Sequence, residues 1–453
     1  MKPLPLPGWI VLGAGVLHGV LGDVLLRGSE GPGLNLFTWI AVLAVTAVLL
    51  HRRAGAALSV ESTACVAVGV LFAAVLLWRD APLLKLAALA TTGIAFSAAA
   101  FRAGAAWLRG SGVADYVMAL GGAGLHGAVG AVRAVRAAEW GDVSRNTRGS
   151  PWFRHTVVAA RGVALATPFV IVFGGLFIAA DAVFARMVTD VLRIDLSVLA
   201  SHIALASFLG WIAAGGLTGF LAGTRLPVVA DAVPRGGMVG APEIGTALSL
   251  IALLFAAFVV VQLRYLFGGA DLVAVTPELT FAEYARRGFF ELVTVVVLTL
   301  PLLLVADWAL RRDRPKADRV FRVLAGTQIV LVMAVAASAV QRMRLYVAAY
   351  GLTELRLYAS ALLVLLGVIL VWFAVTVLRG RRRSFGVGAL AAATAAAAVL
   401  VVINPDALIA RTNLARSLSA EVQPQLDVAY AASLSADAVP VLVAALPSLA
   451  PDA

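Results

Sequence analysis

Residues 246–267 read TALSLIALLFAAFVVVQLRYLF, and eighteen of them pass before the first charge, Arg264. At about 1.5 Å of rise per residue, a helix over this stretch crosses a hydrocarbon core of roughly 30 Å. That core holds no water to satisfy free backbone N–H and C=O groups, so an apolar run of this length must be a helix. It has ten companions. The eleven stretches lie near 9–26, 34–50, 60–78, 82–101, 157–180, 199–222, 246–267, 288–310, 320–340, 355–378 and 385–403. The predicted fold is therefore all-α, a polytopic transmembrane helix bundle of about eleven spans.

Composition agrees. Hydrophobic residues make up 61% of the chain and charged ones 13%, against roughly 25% charged in a soluble domain. The formal charge of +11 comes mostly from arginine. The arginines sit in short loops between apolar blocks, where basic residues set topology, and this turns the reading away from nucleic acid. Cys65 is the single cysteine and lies inside a span, which excludes an internal disulfide and a cysteine metal cluster. The opening MKPLPLPGWIVLGAGVLHGVLGDVL has the outline of a signal peptide, but His18 and Asp23 interrupt its apolar run. It reads as a first, uncleaved helix. The bias to Ala, Val and Arg with almost no Lys points to a GC-rich bacterial genome, and so to a bacterial inner membrane.

Basic loops orient the chain. His51–Arg53, the loop Arg311–Arg322, the run Arg379–Arg383 and the seven arginines of 102–156 all belong on the cytoplasmic side. Eleven spans meet these demands with the N-terminus cytoplasmic and the C-terminus extracytoplasmic. The stretch 113–132 is long enough to cross, which would move His51–Arg53 outside. However, it carries Asp115, His126 and five glycines and runs into Arg133 and Arg136, so a helix along the inner interface is preferred. The expected division is a four-span bundle over 1–101, a cytoplasmic or interfacial segment over 102–156, a seven-span core over 157–403 and a short extracytoplasmic helical cap over 404–453. Pro168 and Pro301 sit mid-span, and Phe-Gly-Gly occurs at 173–175 and 267–269. These features are weak signs of an internal repeat of the transporter kind.

The outer loops carry the chemistry, if any. Arginine is disfavoured in short outer loops, yet these hold at least eight. Each needs a partner, and the guanidinium fork suits a carboxylate on a neighbouring loop or an anionic ligand. The candidate binding residues are Arg264, Glu283, Arg286, Arg287, Glu291, Arg342, Arg344, Glu354, Arg356, Asn404, Asp406 and Arg411, with Tyr350, Tyr358, Asn413 and Arg416 beside them. Thr280 and Glu283 form a capping box, so a helix is expected from about Phe281, with Glu283, Arg287 and Glu291 as one charged stripe. Gly351 and Thr353 read as a stop and a new N-cap. Asn404, Pro405 and Asp406 read as an N-cap, a first-turn proline and a first-turn acid. Short outer helices are expected over roughly 405–418 and from Ser435 and Asp437 to before Pro447. The plain alternative is that Arg–Glu ladders only fix loop packing and that the tyrosines form an ordinary aromatic belt.

Ionisable residues inside the spans are few. His18 is deepest, and His202 lies about a turn below the outer surface. Asp23 with Arg27, and Asp307 with Arg311, have the i, i+4 spacing of helix-end ion pairs. Gln328 is mid-span. Neither histidine has a second ligand at i+3 or i+4, so no metal and no cofactor is assigned. Gly215, Gly219 and Gly223 form a small-residue stripe for close helix packing. No phosphate loop, HExxH or GxSxG motif is present. This turns the reading away from an ATPase, a zinc protease or a serine hydrolase, and no catalytic residue is assigned.

Four stretches then carry a resemblance: YGLTELRLY at 350–358, NPDALIAR at 404–411, LTFAEYARRGFFEL at 279–292 and LSADAVP at 434–440. Over roughly 160–445 the chain resembles a bacterial multi-pass membrane family known only as a domain of unknown function (4153/4173 type). The resemblance implies a polytopic membrane location and supplies no substrate, cofactor or catalytic residue. Three functions stay open. The first is an outer-face ligand- or partner-binding or signalling protein. The others are a secondary transporter and an enzyme on lipid-linked substrates at the outer leaflet. The expected partners are the lipid bilayer and an anionic ligand, a lipid headgroup or a membrane protein.

Overall fold

The computed structural model describes residues 4–29, 31–103, 112–138, 196–223, 237–267, 289–312, 316–419 and 426–448, with Phe177 and Asp181 besides. In chain order the helices are α1 (Gly8–Leu26), α2 (Leu34–Arg53), α3 (Val60–Ala74, prolonged by a 3-10 turn Val75–Leu77), α4 (Pro82–Ala103) and α5 (Val113–Ala137). There follow α6 (Leu196–Ala222), α7 (Ala241–Phe267), α8 (Phe289–Ala309), α9 (Ala317–Tyr350), α10 (Glu354–Thr376) and α11 (Phe385–Ile403). The tail adds α12 (Pro405–Ser419), α13 (Val428–Ser433) and α14 (Val439–Ala445). Among the described residues ten helices are long and apolar enough to cross a membrane, so the chain is a multi-pass helical membrane protein. The span expected at 157–180 lies outside the described residues. Helix α5 is not one of the ten.

The contacts gather into two compact units, the first made of Met1–Val70, Ala95–Ala105 and Met118–Leu226. Its centre is the pair α1 and α6. A Cβ on Gly19 would lie 2.2 Å from the Ala206 carbonyl oxygen, and one on Gly15 would lie 2.7 Å from the Ala214 Cβ. Only glycine lets these backbones approach so closely, which is how helices gain contact where lipid is as apolar as leucine. The expected stripe on α6 takes α5 in the same way, since a Cβ on Gly215 would lie 2.3 Å from the His126 carbonyl oxygen. Gly223 is not part of that stripe. It follows the end of the helix at φ +76, a left-handed conformation that glycine adopts without a Cβ clash.

Four ionisable residues of this unit, His18, Asp23, Arg27 and His202, are tied down. Arg27 pairs with Asp23 at 2.6 Å, as the spacing predicts. His202 Nδ1 stands 2.5 Å from the other Asp23 oxygen, and Arg27 also donates to the Ser201 carbonyl at 2.8 Å. His18 is fully buried, with Nδ1 2.8 Å from the Ala14 carbonyl oxygen and Nε2 3.4 Å from the Thr46 hydroxyl. It is a satisfied core histidine.

The second unit comprises Leu71–Ile94, Ala106–Val117 and Pro227–Ala453. Helix α9 is its axis, packed on α7, α8 and α10. Phe321, Ala325, Val332 and Ala339 of α9 meet Leu303 of α8 and Leu370 and Phe373 of α10 in one core. At 34 residues, α9 is about 50 Å long, well beyond the hydrocarbon thickness. The segment from Gln341 to Tyr350, expected as a loop, is its last turns. Nothing there breaks a helix until Gly351, which ends it at φ +78.

One end of this unit holds an ion network. Arg312 reaches Asp307 at 2.6 Å and Asp318 at 3.0 Å, and Arg382 reaches both at 3.0 Å. The expected Asp307–Arg311 pair does not form. Helix α8 ends at Ala309, so the i, i+4 register is lost, and Arg311 instead donates to the Met238 carbonyl at 2.8 Å and the Gly237 carbonyl at 3.2 Å.

Gln328 of α9 is fully buried, and both its amide atoms lack a hydrogen-bond partner. An unpaired buried amide costs about 1–3 kcal/mol. Gln328→Leu is therefore expected to raise the unfolding midpoint in detergent, read by tryptophan fluorescence. A lowered midpoint would show that the amide makes a bond that this packing does not contain.

Candidate functional site

The other end of the second unit is where the tail returns. Helix α9 ends in carbonyls with no intrahelical donor, and arginines supply the donors. Arg416 Nη2 donates to the Ala349 carbonyl at 2.5 Å. Arg356 Nη1 donates to the Tyr350 and Gly351 carbonyls at 3.2 and 2.5 Å. The Arg356 guanidinium also lies 4.0 Å over the ring of Tyr346, a cation–π contact. Asn413 of α12 grips the turn between α9 and α10 on both sides. Its Oδ1 accepts from the Leu352 N–H at 2.7 Å, and its Nδ2 donates to the Leu352 carbonyl at 2.8 Å. The Tyr430 hydroxyl of α13 accepts from the Glu354 N–H at 2.9 Å.

The turn and the tail enclose a cavity of about 240 Å³. Its polar lining includes Arg356, Asn413, Arg416, Asp427 and Tyr430, and Leu426, Leu434 and Leu442 supply apolar wall. The Asp427 carboxylate is partly engaged, since it accepts from the Tyr430 N–H at 2.9 Å as the cap of α13.

Beside the cavity the tail is stapled by carboxylates. Asn404 closes α11 at φ +56 and caps α12, with its Oδ1 3.4 Å from the Ala407 N–H. Asp406, in the first turn as expected, is wholly buried. One oxygen accepts from the Ser435 N–H at 3.0 Å and from the Ser435 hydroxyl at 2.5 Å. The other has no donor. The Tyr358 hydroxyl, close by on α10, is also buried without a partner.

A second clasp joins the tail to the start of α4. Asp437 accepts from the Asp80 and Ala81 N–H groups at 2.9 and 3.3 Å, and Asp80 accepts in return from the Ala436 N–H at 3.4 Å. Arg79 donates to the Val401 carbonyl at 2.7 and 3.1 Å. The Lys85 ammonium, 2.7 Å from Asp80, holds that carboxyl below its usual value, against the opposite pull of burial. Burial pushes the Tyr430 hydroxyl up; the Glu354 carboxylate adds to this and the Glu354 N–H opposes it.

Of the candidate residues, Glu354, Arg356, Asn404 and Asp406 come together here. Arg342 turns instead to Gln262, donating to its Oε1 at 2.9 Å. Arg344 and Arg411 are exposed, as is Glu291 in the first turn of α8. Arg264 has its backbone in α7, and its side chain lies outside the described residues. Glu283, Arg286 and Arg287, with the capping box of Thr280, also lie outside them. Sequence reasoning missed Arg79, Asp80 and Tyr430. The only signal for the first two is a pair of charges at a break between two apolar runs.

The Asp80 clasp carries a pH signature. A carboxyl whose folded pKa is depressed contributes stability that is complete above its unfolded value and is lost as pH falls through the folded one. The unfolding midpoints of the native protein and Asp80→Asn should differ by a constant amount from neutral pH down to about 5, and converge below the ordinary value of 3.8. A gap that persists unchanged at lower pH would place the effect in packing instead.

No curated protein and no solved structure matches this chain. A family model does, over residues 66–445. The match starts earlier than the resemblance near 160 and takes in the third and fourth spans, with the Arg79–Asp80 loop that the tail clasps. Covering more than half of the chain, it identifies this protein as a member of the family described as a domain of unknown function, DUF4153.

Proposed function

We propose that this protein is a ligand-binding, signalling protein of the bacterial inner membrane, and that the tail-bearing end of its second unit faces outward. The ligand is a small anion, a carboxylate or a phosphate, with a short apolar body. The observation that carries this reading is that two guanidinium groups, Arg356 and Arg416, line the 240 Å³ cavity while neither pairs with a carboxylate among the described residues. Against these two positive groups the described lining sets one carboxylate, Asp427. Carbonyl dipoles orient the guanidinium groups without neutralising them, so the remaining N–H donors suit an anion. Leucines at 426, 434 and 442 favour a molecule that is not charge alone.

The link to signalling is the double attachment of the tail. An anion bridging Arg356 on α10 and Arg416 on α12 would tighten the grip of the tail on the end of α9. A lipid headgroup and a free metabolite share this chemistry. The outward orientation rests on the basic end of the unit, where Arg311–Arg322 and Arg379–Arg383 would be cytoplasmic by the positive-inside bias.

Two measurements test the reading. Thermal unfolding of the purified protein is followed with a panel of carboxylates, inorganic phosphate and glycerol phosphate. At least one anion should raise the midpoint, and Arg416→Gln should abolish the shift while exposed Arg411→Gln leaves it. Leu442→Trp, which fills the cavity and keeps both arginines, should abolish it too. Equal responses in all four proteins would remove the cavity from consideration. For orientation, Ser433→Cys and Arg381→Cys are placed separately in a Cys65→Ser background. A membrane-impermeant maleimide should label the first in intact cells and the second only after lysis. The reverse pattern would turn the protein over.

A further inference from the structure

We propose that the first unit binds a membrane-soluble alcohol or phenol, an apolar body bearing one hydroxyl donor, in a cavity recognised by His126. The cavity measures about 140 Å³ and is partly open. Leu43, Val66, Phe96, Leu217 and Phe220 supply most of its wall. Among the described residues only His126 and Ser97 bring a polar side chain to it, and Ser97 is already engaged within the protein.

His126 is 4% exposed. Its Nδ1 stands 2.7 Å from the Gly122 carbonyl oxygen. A carbonyl only accepts, so Nδ1 carries the proton, and in the neutral ring Nε2 is left as a bare acceptor. No donor among the described residues reaches it. The ring is held in place by its backbone bond and by Gly219, where a Cβ would lie 2.8 Å from the His126 Cβ. Gly216, exposed on the same helix, also lines the cavity and has nothing within 4 Å of where a Cβ would stand, so the cavity is open on that side and a larger side chain there would enter it.

These facts select the ligand. A water molecule needs two to four polar partners, and the described lining offers His126 and an already engaged Ser97. An anion or a cation would be buried without a counter-charge, at high cost. A metal would have a single ligand, and no cluster of metal-binding side chains is found among the described residues. A wholly apolar guest would leave Nε2 unpaired. An apolar cavity of about 150 Å³ holds a benzene-sized molecule. One hydroxyl on such a body, or at the end of a longer chain reaching in from lipid, fills the volume and satisfies the acceptor.

The test uses the full chain in lipid nanodiscs with ¹⁵N-labelled histidine, the His126 resonances assigned by their loss in His126→Gln. Benzyl alcohol is the probe and toluene the control, with farnesol as a bilayer-borne alcohol. Benzyl alcohol should shift the Nε2 resonance of His126, toluene should not, and Gly216→Leu should remove the shift while leaving the His126 signal in place as evidence of folding. A farnesol shift assigns the ligand to the lipid phase, and its absence beside a benzyl alcohol shift assigns it to small diffusible alcohols. The proposal is overturned if benzyl alcohol leaves Nε2 unmoved, if toluene moves it equally, or if the shift survives Gly216→Leu.

Discussion

A helix that crosses apolar material ends in carbonyls that no residue of the helix can satisfy, and in this protein arginine is the donor that meets them. Arg356 and Arg416 close the end of α9, and Arg79 meets the Val401 carbonyl in the last turn of α11. A planar fork with five donors suits this task better than an ammonium, because several carbonyls can be reached at once. The partners of Arg356 and Arg416 are backbone carbonyls, where the sequence suggested carboxylates or ligands.

Using arginines in this way leaves the carboxylates to do something else. Asp406, Asp437 and Asp80 accept from backbone N–H and serine groups, so each acts as a cap for a segment distant in sequence. Asp406, wholly buried, is held by the Ser435 N–H and hydroxyl, whereas Asp80 also pairs with Lys85 and Asp437 with Arg79. With Asn413 on Leu352 and Tyr430 on Glu354, these caps tie the tail down, and the turn and tail so held form the walls of the cavity. The cavity keeps a positive lining because the nearby acids are directed elsewhere.

The local grammar of the tail was legible because capping is a short-range effect. Asn404, Pro405 and Asp406 start α12 where the residue types require, and Gly351 stops α9. The Asp23–Arg27 pair forms as its spacing predicts, while Asp307–Arg311 fails because the helix ends between them. The role of Asp406 was not legible. Its first-turn position implies a solvated acid near a helix dipole, and burial under Ser435 converts it into a staple. His126 is similar: its helix was readable, but its unpaired nitrogen depends on which walls surround it.

By itself the sequence determined that the chain is helical, that it lies in a membrane, and where most of its helices begin and end. These properties follow from runs of apolar residues and from caps within a few residues of each terminus, and both act locally. Only the tertiary structure decided which polar groups meet. Asn413 finds Leu352 across 61 positions, and Asp437 finds Asp80 across 357. No periodicity records such distances, because in a membrane bundle the apolar surfaces that set helix neighbours are nearly interchangeable. Which helices pack together is chosen by small residues such as Gly15, Gly19 and Gly215 fitting a specific partner surface.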